Sequence, residues 1–214
     1  MAEPNGALAG QFDDLTQQHE AANLGMWVFL VTEILFFGGL FAGYTIYRTM
    51  YPEAFRAASH HLDLLLGSVN TAVLITSSLT MALAVHSAQA GRRQALMWFL
   101  LLTLVLGGVF LGIKGTEYVH KYEEALVPGL RFGYSGPHAS QVQLFLIFYF
   151  VMTGLHAFHM LVGIGLLGVL TGLAWRGHFS AGHYAPVETS GLYWHFVDIV
   201  WIFLFPLLYL VGLH

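Results

Sequence analysis

Residues 142–175 read VQLFLIFYFVMTGLHAFHMLVGIGLLGVLTGLAW and contain no Asp, Glu, Lys or Arg. A helix needs about 20 apolar residues to cross the roughly 30 Å hydrocarbon core of a membrane. In lipid, the backbone polar groups of a single isolated segment can be satisfied only within a helix. The stretch therefore predicts a transmembrane α-helix, and with it a fold whose solvent is lipid.

Four other segments of the chain are long and similarly poor in charge. Together with the run above, the predicted spans are residues 24–48, 64–88, 95–122, 141–175 and 187–213. The connecting segments are too short for a second domain, and the sequence has no inverted repeat of the kind found in many transporters. We predict an all-α integral membrane protein in which residues 24–214 form a five-transmembrane-helix bundle.

The composition agrees with a lipid environment and excludes several classes of site. Only 9% of the 214 residues are charged, whereas about 25% is usual in a soluble domain. The formal net charge is −4, and a nucleic-acid-binding domain would be basic, so we expect no nucleic acid partner. The absence of cysteine excludes disulfides, iron–sulfur clusters, thiolate zinc sites and a thiolate-bridged copper centre.

Residues 1–23 contain four acidic residues and no Lys or Arg. A signal peptide would have a basic start and a short apolar run, so we predict an acidic N-terminal leader outside the membrane.

The side that holds the N-terminus carries Arg92, Arg93 and Arg176, and the opposite side carries Arg48, Arg56, Lys114, Lys121 and Arg131. The positive-inside rule applied to this count favours an external N-terminus.

Glu33 is an acidic residue nine positions into the first predicted span, about 14 Å along the helix. Phenylalanine and leucine occupy the positions three and four residues away on the same helix face. Because a carboxylate would be poorly solvated there, we expect Glu33 to be neutral or hydrogen-bonded to a neighbouring helix. The alternative is a carboxyl that handles protons or contacts lipid.

The last span carries Glu188, His195 and Asp198, which fall within about 80° on one helical face. His195 and Asp198 are one turn apart, so the two side chains could hydrogen-bond to each other. An inward-facing network of polar groups is the usual solution for such residues in a membrane. We predict a buried polar network, with redox or proton-relay chemistry as the alternative.

Twelve histidines raise the question of haem or metal ligands. Bis-histidine haem in a bundle takes ligands from facing helices at matched depth, and only His156, His159 and His195 lie well inside predicted spans. His60 and His61 are adjacent and do not face one centre. We therefore expect no metal and no haem in this chain.

Two further polar groups complete the candidate network, and glycines suggest how the helices pack. Asn70 is expected to hydrogen-bond across helices, and Glu117 is expected at the membrane interface near the end of the third span. Small residues four apart allow helix backbones to approach closely in lipid. The pairs with this spacing are Gly39/Gly43, Gly108/Gly112 and Gly168/Gly172.

Three motifs in order resemble subunit III of haem–copper cytochrome c oxidases. They are GMWVFLVTEILFF at residues 25–37, TGLHAFHMLVG at 153–163 and YWHFVDIVW at 193–201. The resemblance covers residues 24–213 and implies the short bacterial form, which lacks the first two of the seven helices of longer members. It also implies a multi-pass protein of the bacterial cytoplasmic membrane with a cytoplasmic N-terminus, against the charge count above.

The resemblance implies a non-catalytic role in a proton-pumping terminal oxidase that reduces oxygen to water. The partners it implies are subunit I as the main contact, subunit II, small subunits and membrane lipids, including bound phospholipid. Haem and copper would belong to partner subunits, with no redox centre in this chain. Glu33 matches the buried carboxyl of the family, and His156, His159, His195 and Asp198 match its buried polar positions.

Two other functions are compatible with parts of the sequence. One is the subunit-III-like membrane protein associated with nitric oxide reductases, which sequence alone separates poorly from the oxidase subunit. The other, from a different class, is a small transporter that uses Glu33 and the histidines as a proton relay. The sequence leaves the electron donor open between cytochrome c and quinol, together with the haem types of the complex.

Overall fold

A computed structural model describes residues 10–11, 13–179 and 184–210, and within them six helices and one two-stranded hairpin. Five of these helices are long and apolar enough to cross a membrane, which confirms the predicted fold class. The helices are α1 Leu15–Met50, α2 Pro52–Ser59, α3 Leu64–Gln89, α4 Arg93–Glu123, α5 Ala139–Trp175 and α6 Ala185–Tyr209, and the strands are β1 Leu126–Val127 and β2 Arg131–Phe132.

The helix ends carry ordinary capping signals. Asp14 and Asp63 precede α1 and α3, and each side chain accepts a hydrogen bond from a backbone N–H of the first turn. Because α1 begins at Leu15, the helix includes the second part of the predicted leader. Residues 1–9 and 12 of that leader and residues 211–213 of the last predicted span lie outside the described residues.

Two short elements on the side opposite the N-terminus were not predicted from the sequence. α2 begins with Pro52 in its first turn and buries Ala54, Phe55 and Ala58; Phe55 packs against Tyr44 of α1 and Phe145 of α5. The antiparallel strands β1 and β2 form the hairpin between α4 and α5. Both elements are too short for a periodicity that sequence inspection can detect.

The helices α4 and α6 each contact both α3 and α5, and α1 packs against α6 and α5. Of the five spans, α6 is the most buried and α1 the least. On the side of the N-terminus, Arg93 at the start of α4 donates to the carbonyls of Ala174 and Trp175. This contact caps the C-terminus of α5, where a cation is favourable.

Trp194 of α6 packs at a point where α3, α4 and α5 come close to α6. Its indole is fully buried, and a Cβ atom added at Gly107 of α4 or Gly163 of α5 would come within 2.8 Å and 2.9 Å of the ring. The Nε1–H of Trp194 donates to Ser77 Oγ of α3 at 3.0 Å. One side chain therefore joins four helices at a single depth.

The glycine pairs proposed from spacing do not make these approaches. Gly39, Gly108, Gly112, Gly168 and Gly172 have open space at the Cβ position within the chain, and Gly43 is in ordinary contact with Phe148. The prediction that these pairs mark close helix contacts is wrong for the described part of the chain. Spacing alone does not identify which face of a helix meets its neighbour.

Candidate functional site

The carboxyl group of Glu33 on α1 meets His159 on α5. Glu33 Oε2 lies 3.2 Å from His159 Nε2, and His159 Nδ1 lies 2.8 Å from the carbonyl oxygen of Leu155. Both side chains are mostly buried, with 18% and 13% of their surface exposed. Phe37 and Phe158 pack edge-on against the imidazole ring, so this polar contact lies in apolar surroundings.

The hydrogen bond to Leu155 determines how many protons the pair holds. A carbonyl oxygen only accepts, so His159 Nδ1 must carry a hydrogen. If His159 is neutral, its Nε2 is an acceptor and Glu33 must be protonated; if Glu33 is ionised, His159 must be an imidazolium. In either case one proton lies between Oε2 and Nε2.

A second cluster, Lys114, Glu117, Tyr149 and Tyr209, lies between α4, α5 and α6 near the end opposite the N-terminus. Lys114 Nζ donates to Glu117 Oε2 at 3.0 Å, to Tyr149 Oη at 3.2 Å and to Tyr209 Oη at 2.8 Å. The two tyrosine hydroxyls donate to Glu117 Oε1 at 2.9 and 2.6 Å. Lys114 and Glu117 are almost fully buried.

The geometry of this cluster satisfies the ion pair completely. All three ammonium donors are used, both carboxylate oxygens accept, and Lys114 Nζ also lies 5.1 Å from the centroid of the Trp201 ring. Sequence analysis counted Glu117 in the buried network and expected it near the end of its span; the protein encloses it near that end of α4. Sequence analysis did not include Lys114 among the candidate site residues. The signal that could have identified it is its spacing from Glu117, because residues three apart lie on the same helix face.

His195 and Asp198 do not bond to each other, contrary to the expectation from their spacing. His195 Nδ1 instead lies 2.8 Å from Ser78 Oγ on α3. Asp198 is buried, and neither of its carboxyl oxygens has a hydrogen-bond partner among the described residues. Glu188, in the first turn of α6, lies about 15 Å along the helix from Asp198.

The remaining candidate residues occupy separate positions. Asn70 Nδ2 donates to the carbonyl of Phe110 on α4 at 3.3 Å, a bond between helices as expected. His156 is fully buried between Phe110 and Trp201, and neither ring nitrogen has a partner among the described residues. The candidate residues are therefore divided into small groups at several depths, where sequence analysis expected one network.

The described residues contain no group of three His, Cys, Asp or Glu side chains that could hold a metal ion. Both nitrogens of His159 are engaged, and the ring of His156 is enclosed by aromatic side chains. The two pairs can instead neutralise buried charge, at Lys114 and Glu117, and hold a proton inside the bundle, between Glu33 and His159.

Comparison with known proteins gives consistent matches over nearly the whole chain. The model of the family "Cytochrome c oxidase subunit III" matches residues 4–213. The chain is 38% identical to cytochrome c oxidase subunit 3 of Synechocystis sp. over 195 residues, covering 87% of this chain and 74% of that protein. It is 34% identical to the same subunit of Thermostichus vulcanus, covering 88% and 86%. It is also 34% identical to quinol oxidase subunit 3 of Bacillus spizizenii, covering 89% and 87%.

Proposed function

The chain belongs to the cytochrome c oxidase subunit III family, and from this premise we propose that it is an accessory, non-catalytic subunit of a proton-pumping haem–copper oxidase. The oxidase reduces oxygen to water, and this reaction takes place in the partner subunits that hold the haem and copper. This chain stabilises subunit I and supports proton uptake. The observation that carries the proposal is the family match over residues 4–213.

The buried polar side chains bond to one another, and this pairing supports a role without a redox centre. The buried Lys114–Glu117 pair is satisfied by two tyrosine hydroxyls, and Glu33 is hydrogen-bonded to His159. Buried ionisable groups in membranes are usually paired in this way or serve a pathway for ions. Glu33 is the carboxyl to test for proton handling or lipid contact, because it lies on the least buried helix.

The proposed location is the bacterial cytoplasmic membrane, with the N-terminus in the cytoplasm as in the short form of the family. The charge count opposed this orientation because five Lys and Arg residues lie on the other side of the membrane. Two of these, Lys114 and Lys121, are paired with Glu117 and Glu124. Both lysines are also buried in the bundle on α4 rather than in a loop. The rule counts the basic residues of loops, and leaving these two out gives three basic residues on each side, so the charge count no longer opposes the assignment.

The proposed partners are subunit I as the main contact, subunit II, small subunits and bound phospholipid. The electron donor stays open because the similar proteins include subunits of both cytochrome c and quinol oxidases.

We expect the complex purified through this chain to contain subunit I with haem and copper and to consume oxygen. Mass spectrometry of the subunits, an optical spectrum and oxygen uptake would test this, and haem b with non-haem iron would instead identify the nitric oxide reductase alternative.

Substitution of Glu33 separates a structural carboxyl from one that moves protons. Glu33→Gln keeps a donor for neutral His159 Nε2, so we expect normal assembly and turnover close to wild type. Glu33→Leu leaves that nitrogen without a partner and should cost about 1–3 kcal/mol of stability. Turnover and the protons pumped per electron would be measured in both variants. Normal assembly of Glu33→Gln with a large loss of turnover would show that the carboxyl proton itself is needed.

A further inference from the structure

Asp198 lines a crevice of about 270 Å³ between α3 and α6, on the outer side of the bundle. Thr71, Ser78 and His195 provide its other polar groups. At its rim, Ile75 and Ile199 are each about half exposed. The crevice therefore combines an apolar opening with a polar floor.

The polar groups beside Asp198 are engaged elsewhere. Thr71 Oγ1 donates to the carbonyl of Gly67 and accepts from Trp201 Nε1–H. Ser78 lies close enough to interact with Asp198, but its Oγ, which is bonded to His195 Nδ1, makes no hydrogen bond of normal geometry with either carboxyl oxygen. Asp198 is only 3% exposed, and no described residue forms a hydrogen bond with either carboxyl oxygen. A buried carboxyl without a partner costs more than a lost hydrogen bond.

The surroundings favour another protein helix as the source of the missing bond. Lipid acyl chains carry no hydrogen-bond donor and cannot satisfy Asp198. Alongside the crevice, the exposed face of α3 presents three small side chains, Ser68, Ala72 and Thr76, between larger ones such as Leu65 and Leu79. Small residues of this kind allow a second helix to approach closely, so a side chain from that helix could reach the carboxyl.

We infer that the α3/α6 crevice is the docking site for a transmembrane helix of another oxidase subunit, which contributes a hydrogen-bond-donating side chain to Asp198. The occupant is an otherwise apolar helix that carries one hydroxyl, amide or basic side chain at the position that faces Asp198. This inference rests on the proposed function, because it requires the chain to be part of a complex. It adds which face of the chain meets the partner and which residue recognises it.

Photo-crosslinking in the intact complex tests the docking face. A benzophenone amino acid replaces Ile75 at the crevice, and the matched control replaces Leu161 on α5, which lies on the other side of the α4/α6 pair. The two positions are 54% and 57% exposed. They lie at similar depth, because Trp194 contacts both Ser77 and Gly163.

We expect the probe at Ile75 to form an adduct with a subunit identified by mass spectrometry as part of the oxidase, and the probe at Leu161 to react with lipid. Lipid adducts alone at Ile75, or equal adducts with the same subunit at both positions, would overturn the inference while leaving the proposed function intact. If no oxidase subunit accompanies the chain during purification, the proposed function itself fails.

Substitution of Asp198 tests the donor. Asp198→Leu should reduce the fraction of this chain retained in the complex after detergent washing by about tenfold, because the donor of the partner is left unpaired. Asp198→Asn keeps an acceptor and should retain the chain. If Asp198 has no partner, Asp198→Leu removes an unsatisfied group, and retention equal to or above wild type would overturn the inference. Should Asp198→Leu prevent folding, the crosslinking result still decides.

Discussion

Replacing Lys114 with Met is expected to lower the free energy of unfolding by about 3–5 kcal/mol, because Glu117 would remain as a buried charge without its cation. Lys114 and Glu117 are 4% and 2% exposed, so water cannot replace the lost partner. The substitution also removes the donor shared by Tyr149 and Tyr209. These contacts join α4 to α5 and α6, so we expect the loss to loosen the end of the bundle opposite the N-terminus.

Thermal unfolding of the purified chain in detergent measures the effect, and two controls identify its cause. The double variant Lys114→Met/Glu117→Gln removes both charges and keeps an acceptor for the tyrosines, so it should recover to within about 1 kcal/mol of wild type. Lys121→Met breaks a second Lys–Glu pair on the same helix, but its partner Glu124 is half exposed. That variant should cost no more than about 1 kcal/mol. A double variant as unstable as the single one would contradict the ion-pair explanation.

The transmembrane helices were predictable because lipid imposes a simple requirement on sequence. A run of about 20 apolar residues without charge has few stable conformations in a membrane other than a helix. The predicted span at 141–175 differs from α5, Ala139–Trp175, by two residues. The short helix α2 and the hairpin lie outside the apolar runs, and no comparable requirement applies to them.

The site was only partly predictable, because the partners of a buried polar group come from other helices. Position in an apolar run identified Glu33 and Asp198 as buried, but the sequence contains no information on which helix faces each one. His195 illustrates the difficulty: its spacing suggested Asp198 on its own helix, whereas Ser78 on α3 is its partner. Lys114 was missed because it lies where the apolar run ends, and its burial depends on Tyr149 and Tyr209 from distant parts of the chain.

Trp194→Ala is expected to cost about 3–5 kcal/mol of unfolding free energy, because the indole fills the space where four helices meet. Its ring is fully buried against Gly107 and Gly163, two positions that have no side chain with which to fill the resulting cavity. The substitution also leaves Ser77 Oγ without the donor it has in the wild-type chain. The lost packing and the unpaired hydroxyl both destabilise the folded bundle.

Trp98→Ala is the matched control, because the same atoms are removed from a side chain that is 69% exposed on α4. Lipid or detergent can occupy the space vacated at Trp98, so we expect its unfolding temperature to stay close to wild type. At Trp194 the cavity is enclosed, and refilling it would require the helices to move together. Equal destabilisation by the two substitutions would mean that the bundle can collapse around position 194, and that close packing at this depth is not what holds α6 between α3 and α5.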